Sequence, residues 1–481
     1  MVTGLDYFVV LVYFGVMLVC GYIGARMSKT HEDYLVAGRR LGFWTFFACM
    51  SAVILGGGAT FGTAKLGYLH GISGFWMVFM YGLGILALAV LVTTRISNLR
   101  IMTLSEMLGM RYDEKARIIS ALIAAVYAAL IATLQIVAIG TIIQSVLGWA
   151  PRTSMLVGGL IVLAYTLAGG MWSVTLTDVI QFWLMTFGVL LMLVMGLARV
   201  GGFAGLQTAL EPSYFDLGTI GGKRIFSFFL LFFLGFLVGQ DIWQRVFTAK
   251  DSRTARSGTV AAGLYCVGYA VVVAIIGMCA AVIVPGLQNA QSAFPEMAIR
   301  VLPPGLTGLV LAGTLSALMS TADGPILASS TLVIRDLWIP ILKPRWDDRH
   351  QTAAYRWVTL AVGVFAIVSA VWIQDVLNAL DLAYDLLSGA IVVPVIAALF
   401  WKRATAQGAV LSMILSSIVV IVGLIREGLS ATNPIIYGVV TSLVSLVVVS
   451  LLTPPPDSAR MKEWEERMMG APAGVGDAHQ G

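Results

Sequence analysis

Apolar residues run along this chain in blocks of about 20, separated by short polar turns, and within a block they cover the whole circumference of a helix. Windows of about 19 residues predict helices at 5–25, 43–64, 73–94, 117–147, 154–170, 175–198, 225–244, 258–285, 306–333, 355–374, 376–401, 406–425 and 433–453. The count is thirteen. The opening block has no basic n-region and no A-x-A cleavage site, so it is expected to be a retained first helix rather than a signal peptide.

Composition agrees with this pattern. Of 481 residues, 59% are hydrophobic and 11% charged, against roughly a quarter charged in soluble domains. A soluble enzyme, a disordered scaffold and a disulfide-stapled module are excluded. The fold class is therefore an all-α polytopic membrane protein whose first partner is the lipid bilayer. The net charge of +5 needs no nucleic acid, because basic cytoplasmic loops account for it. Cys20, Cys49, Cys266 and Cys279 stand singly in apolar stretches and read as packing residues.

The basic residues also orient the bundle. With the C-terminus inside, 23 of the 30 Lys and Arg fall on cytoplasmic segments, including Arg111, Arg245, Arg335 and Lys402, while Lys65 and Arg224 are among the seven left outside. This bias places the N-terminus outside and the tail in the cytoplasm of a cell (plasma or inner) membrane. The tail from Thr453 is expected to form a short amphipathic piece around KEWEERMM and then to be disordered. No obligate protein partner is expected.

Two helices are interrupted. The second carries Gly56, Gly57 and Gly58 at mid-membrane, and the seventh carries Gly235 and the Gly239-Gln240 pair. Each is the first of a five-helix set, helices 2–6 and 7–11, and because five is odd the sets have opposite membrane topology. Paired interruptions in inverted repeats point to a midplane binding site in secondary transporters, where unwound carbonyls coordinate a cation. The organisation reads as 1–42 (an extra helix and loop), 43–198 and 199–404 (the repeats), 405–453 (two further helices) and 454–481 (the tail).

The ninth helix carries the oxygen ligands. Ser316, Ser320, Thr321 and Asp323 fall within two turns, with Ser320 and Asp323 on one face. A carboxylate at mid-helix costs about 2.5–3.5 kcal/mol on insertion, which makes Asp323 a functional candidate. Asp178 is a second acid, at the start of the sixth helix. Such hard oxygens suit an alkali cation or a proton, and no His/Cys set suits a transition metal.

Five segments together resemble the sodium:solute symporter family over residues 1–453: GGGATFGTAKLGY (56–68), AGGMWSVTLTDVIQ (168–181), GQDIWQRVFTAKD (239–251), LSALMSTAD (315–323) and ALFWKRATAQGA (398–409). The resemblance implies a five-plus-five inverted-repeat, LeuT-like core with one helix before it and two after. It also implies a sodium site on the carbonyls of Ala52, Leu55 and Ala317 and the hydroxyls of Ser320 and Thr321. A second cation position would comprise Asp178, Ser320 and Asp323, with Asp323 standing where some members have a hydroxyl.

Residues expected to box a quaternary ammonium become Ile54 and Gly239, and polar groups of sugar-binding members become Ala59 and its neighbours, so neither choline nor a hexose is expected. The substrate is expected to be another small molecule, namely an amino acid, a monocarboxylate, pantothenate or a similar nutrient, touching Gly56, Gly57, Tyr81, Gln135 and Gln240. The expected function is sodium-driven symport by alternating access, with sodium as coupling ion and no cofactor. Proton coupling through Asp323 or Asp178 is one alternative and a transporter-like sensor another. No His/Ser/Cys or paired-acid constellation at one depth suggests an enzyme.

Overall fold

The computed structural model describes residues 3–27, 36–99, 101–167, 171–343 and 348–469. Among these residues the structure is helical, with no strand beyond one parallel bridge between Leu41 and Ala249. Eleven helices are long and apolar enough to cross a membrane, where thirteen were expected. The difference lies in the second, third and fifth blocks. The second is in two pieces, Phe43–Ala52 and the stretch from Gly58, and the latter runs on into the third block as Gly58–Leu99. A turn at Gly71 divides that stretch; its φ is +63°, and a Cβ there would lie 2.1 Å from the Tyr214 carbonyl oxygen, so only glycine fits. The fifth block, Pro151–Thr166, is among the shorter apolar helices.

Several helices begin before their hydropathy window, because a polar first turn is capped rather than apolar. The fourth starts at Glu114, with the Asp113 carboxylate accepting from Ala116 N at 2.8 Å, and the eighth starts at Ser252 under an Asp251 cap. Both are N-cap contacts of the usual kind. Short helices outside the predicted blocks appear at Leu104–Arg111, Gly202–Ala209 and Ala293–Val301. The expected amphipathic tail piece is the helix Ser458–Met468, and the rest of the tail after 469 lies outside the described residues.

Burial sorts the helices. Glu114–Leu147 and Val376–Phe400 have 83% of their most apolar window inside the protein, whereas Gly4–Gly24 has 19% and Pro434–Leu452 has 28%. The first two are therefore the interior posts. Glu114–Leu147 packs on Leu306–Thr331, Val376–Ala390, Pro151–Thr166 and Asp348–Ile373, and the broken second helix meets this centre. The basic side is laced by Arg117–Asp336 and Arg335–Glu106 pairs and by Arg111, whose guanidinium donates to the carbonyls of Trp401, Lys402 and Ala404.

Candidate functional site

The second helix stops at Ala52 and turns through two tight hydrogen bonds, Ile54 N to Ser51 O and Leu55 N to Ala52 O, each 3.0 Å. It resumes through a wide turn, Gly58–Gly62, into Thr63–His70. The break is clamped from three sides. Gly57 N donates to Gln135 Oε1 at 2.7 Å, and the Thr60 hydroxyl donates to the Leu55 carbonyl at 2.8 Å while meeting Tyr269 Oη at 2.8 Å. A Cβ on Gly56 would lie 2.6 Å from Gln135 Nε2 and 3.0 Å from Thr321 Cγ2. Gly57 has ordinary helical angles, φ −55° and ψ −42°. The glycines are thus required by the close approach of the fourth and ninth helices rather than by unusual dihedrals.

The structure therefore brings together Gly56, Gly57, Gln135 and Thr321, with Ala52, Leu55 and Ala317 buried around them. The Thr321 hydroxyl donates to Ala317 O at 2.7 Å. Such a back-bond uses the hydroxyl's hydrogen and leaves its lone pairs for a cation. Ser320 lies on the same helix, its side chain outside the described set, as is that of Ser316. Tyr81 stands beside the break: its hydroxyl is 3.1 Å from the Cβ position of Gly58, and its ring packs on Phe232 and Phe236. Gln240 is engaged elsewhere, accepting from Leu104 N at 2.8 Å and donating to Met102 O at 3.2 Å.

The acids have partners that spacing did not suggest. Asp178 pairs with Arg245 at 3.1 Å, both side chains buried. Arg245 was assigned to a cytoplasmic loop by the charge count, yet it is 4% exposed and its Nη2 lies 3.8 Å from the Cβ position of Gly324. One guanidinium thus spans from the sixth helix to the ninth, beside Asp323, which accepts from the Thr166 hydroxyl. At the break of the seventh helix, after Phe236, Asp241 accepts from Tyr127 Oη at 3.1 Å. Two further acids that the sequence reading did not single out, Asp381 and Asp385, stand one turn apart and buried on Val376–Ala390. Among the described residues no cluster of three or more His, Cys, Asp or Glu could hold a metal. Oxygen donors at a helix break are the kind that suit a hard monovalent cation.

The second and seventh helices are both broken inside an apolar helical bundle, and the Sodium:solute symporter family matches residues 34–416. The chain belongs to that family and is a multi-pass, sodium-coupled symporter of small solutes, not an enzyme. It is 28% identical over 476 residues to the sodium/proline symporter of Escherichia coli (strain K12), covering 95% of this chain and 94% of that one. It is 27% identical to the high-affinity proline transporter PutP of Bacillus subtilis (strain 168), covering 92% and 97%, and 27% identical over 331 residues to the sodium/pantothenate symporter of Haemophilus influenzae, covering 65% and 67%. A Na+-coupled sialic acid symporter solved in a substrate-bound, outward-open state superposes with a TM-score of 0.79 at 21% identity, covering 94% of this chain and 99% of that one. That likeness shows the LeuT-like fold.

Proposed function

We propose that this chain brings a small carboxylate-bearing solute, an amino acid of the proline type first, into the cell with sodium by alternating access. The observation that carries the reading is the clamp at the break: Gln135 and Thr321 close on Gly56 and Gly57. Sodium held by the carbonyls of Ala52, Leu55 and Ala317 and the hydroxyls of Ser320 and Thr321 would tie the second helix to the ninth. Tying them completes a solute pocket lined by Gly56, Gly57, Tyr81 and Gln135. The likeness to proline transporters, 28% and 27% identical over 95% and 92% of this chain, against 27% over 65% and 23% over 87% for two pantothenate symporters, ranks an amino acid before pantothenate.

One sodium per cycle follows from Arg245, whose guanidinium supplies positive charge where Asp178, Ser320 and Asp323 would otherwise form a second cation position. A single ion is enough. A potential of 100 mV contributes about 2.3 kcal/mol and a tenfold gradient about 1.4 kcal/mol, together roughly a 500-fold accumulation. Residues 43–198 and 199–404 form the two repeats, with the N-terminus outside and the tail inside.

The test is uptake of labelled proline and pantothenate into proteoliposomes, driven by sodium, potassium or a pH gradient, beside thermal stabilisation by sodium. Sodium-specific uptake and stabilisation, both lost in Ser320→Ala, are expected. Uptake driven equally by a pH gradient without sodium would replace this reading with proton symport.

A further inference from the structure

The second repeat contains a buried acid that the sodium site does not use. Asp385 is fully buried on Val376–Ala390, and neither of its carboxylate oxygens has a hydrogen-bond partner among the described residues. One turn earlier on the same helix, Asp381 pairs with Arg224 Nη2 at 2.5 Å. Arg224 also lies over the Phe228 ring, 4.8 Å from its centroid, and its Nη1 has no partner among the described residues.

Register locates Asp385. Arg224 contacts Asp381, and Leu231 O accepts from Ser388 Oγ at 2.7 Å. Both steps are seven residues, so the seventh and eleventh helices run in parallel side by side. Four residues beyond Asp381 is the level four residues beyond Arg224, which is Phe228 with Ser227 beside it. The Ser227 hydroxyl is also fully buried and without a partner among the described residues. Two unpartnered polar groups on adjacent helices therefore share one depth.

The charges around this seam are few. The seventh helix brings Arg224, and Lys65 of the second is paired with Asp375 at the helix start. The third helix brings Tyr81, its hydroxyl unpartnered among the described residues, and the fourth brings Tyr127, bonded to Asp241 and Tyr384. On Asp348–Ile373, Arg356 is exposed. Ala406–Glu427 and Pro434–Leu452 add serines to the buried face and carry Arg426, Glu427 and Tyr437 only at exposed positions. The two cations, Arg224 and Lys65, are thus already matched by Asp381 and Asp375, and His70, at the end of Thr63–His70, is the other titratable group near Arg224. An ionised Asp385 would be an uncompensated buried charge costing several kcal/mol, a situation a carboxyl escapes by taking a proton. A sodium ion in its place would need more oxygens than Asp385, Ser227 and one Asp381 oxygen supply.

The geometry points to Asp385 as a proton-carrying site: its carboxyl is a neutral acid in this packing and gives up its proton when the seam between the seventh and eleventh helices opens. On release the O–H bond breaks, its electron pair stays on the carboxylate, and the proton passes to water at the Arg224 end, where that side chain is 18% exposed. The free Nη1 of Arg224 then donates to the new carboxylate, so one guanidinium bridges both acids. This site rests on the alternating-access reading but not on the identity of the coupling ion at the helix break.

Infrared spectroscopy of the purified full chain tests it. At neutral pH the wild type should show a protonated-carboxyl C=O band that shifts in D2O, changes frequency in Ser227→Ala, and is lost in Asp385→Asn but kept in Asp323→Asn; in Asp381→Asn, which releases Arg224 to compensate Asp385, the band should weaken. Sodium-dependent thermal stabilisation, retained in Asp385→Asn, reports that the variant is folded. A band absent from the wild type, or undiminished in folded Asp385→Asn, overturns the proposal, as does a wild-type band removed by adding sodium at constant pH, which would make Asp385 a metal ligand. If Asp385→Asn does not fold, an unchanged band in Ser227→Ala overturns it. Loss of the sodium response in a wild type that keeps the band would instead sink the sodium reading and leave this site standing.

Discussion

At the residue scale, the buried Asp178–Arg245 pair has the sharpest energetic consequence. Removing one member leaves the other as an uncompensated buried charge, which costs about 3–5 kcal/mol, whereas removing both together is often nearly neutral. Arg245→Gln should therefore lower the thermal midpoint strongly, and Asp178→Asn added to it should recover most of the loss. The same variants report on ion count. Sodium dependence of stabilisation should be hyperbolic in the wild type and become cooperative in Arg245→Gln, because Asp178 then loses its guanidinium counter-charge and a cation can replace it. A sigmoidal wild-type curve would show that the guanidinium does not stand in for a second ion. Asp323 was legible in the sequence because an acid in an apolar run is costly, and the same rule singles out Asp381 and Asp385. The partner of Asp381 was not legible: Arg224 is 157 residues away along the chain, and no spacing connects them.

At the scale of elements, the helices were readable from apolar blocks and the breaks from glycine, but their edges and reasons were not. Hydropathy registers no capped polar turn, which is why the fourth and eighth helices begin several residues early. The GGG segment marks the break, yet helix is lost over 53–56 and regained at Gly57, for contacts with Gln135 and Thr321 that lie far along the chain. Caps bring their own pH dependence. Asp251 is exposed in the turn before Ser252–Ile283, and the Thr254 backbone N–H, at 2.7 Å, holds its carboxyl below the usual carboxylate range. The sign follows: a depressed folded value means the cap is at full strength above the unfolded pKa of about 3.9, and is lost as pH falls through the folded one. The protection factor of the Thr254 amide, its exchange relative to the intrinsic rate at each pH, should fall on acidification in the wild type. In Asp251→Ala, which forfeits about 1 kcal/mol of cap, it should already be low at neutral pH. Equal protection in the two proteins at neutral pH would remove the cap from the account.

At the scale of the whole molecule, the interior posts and the laced basic face leave one element whose attachment can be tested separately, the tail helix Ser458–Met468. It is polar overall, yet Trp464 is buried and its Nε1 donates to Ala398 O at 3.1 Å, near the end of Val392–Phe400. Lys402 pairs with Glu465 at 2.6 Å, and Arg460 donates to the carbonyls of Gly109 and Met110. The helix therefore spans from the short Leu104–Arg111 helix to the turn after the eleventh span. Exposed ion pairs contribute about 0–1 kcal/mol each, while truncating a buried Trp costs about 3–5 kcal/mol, so the indole should govern docking. Trp464→Ala should release the tail without unfolding the bundle, speeding trypsin cleavage at Arg460, Lys462 and Arg467 severalfold while sodium-dependent stabilisation persists. The same cleavage tests the proposed orientation, because those sites should be cut only in vesicles that expose the cytoplasmic face. Cutting from the opposite face would reverse the topology, and an unchanged cleavage rate in Trp464→Ala would assign the docking to the charged contacts instead.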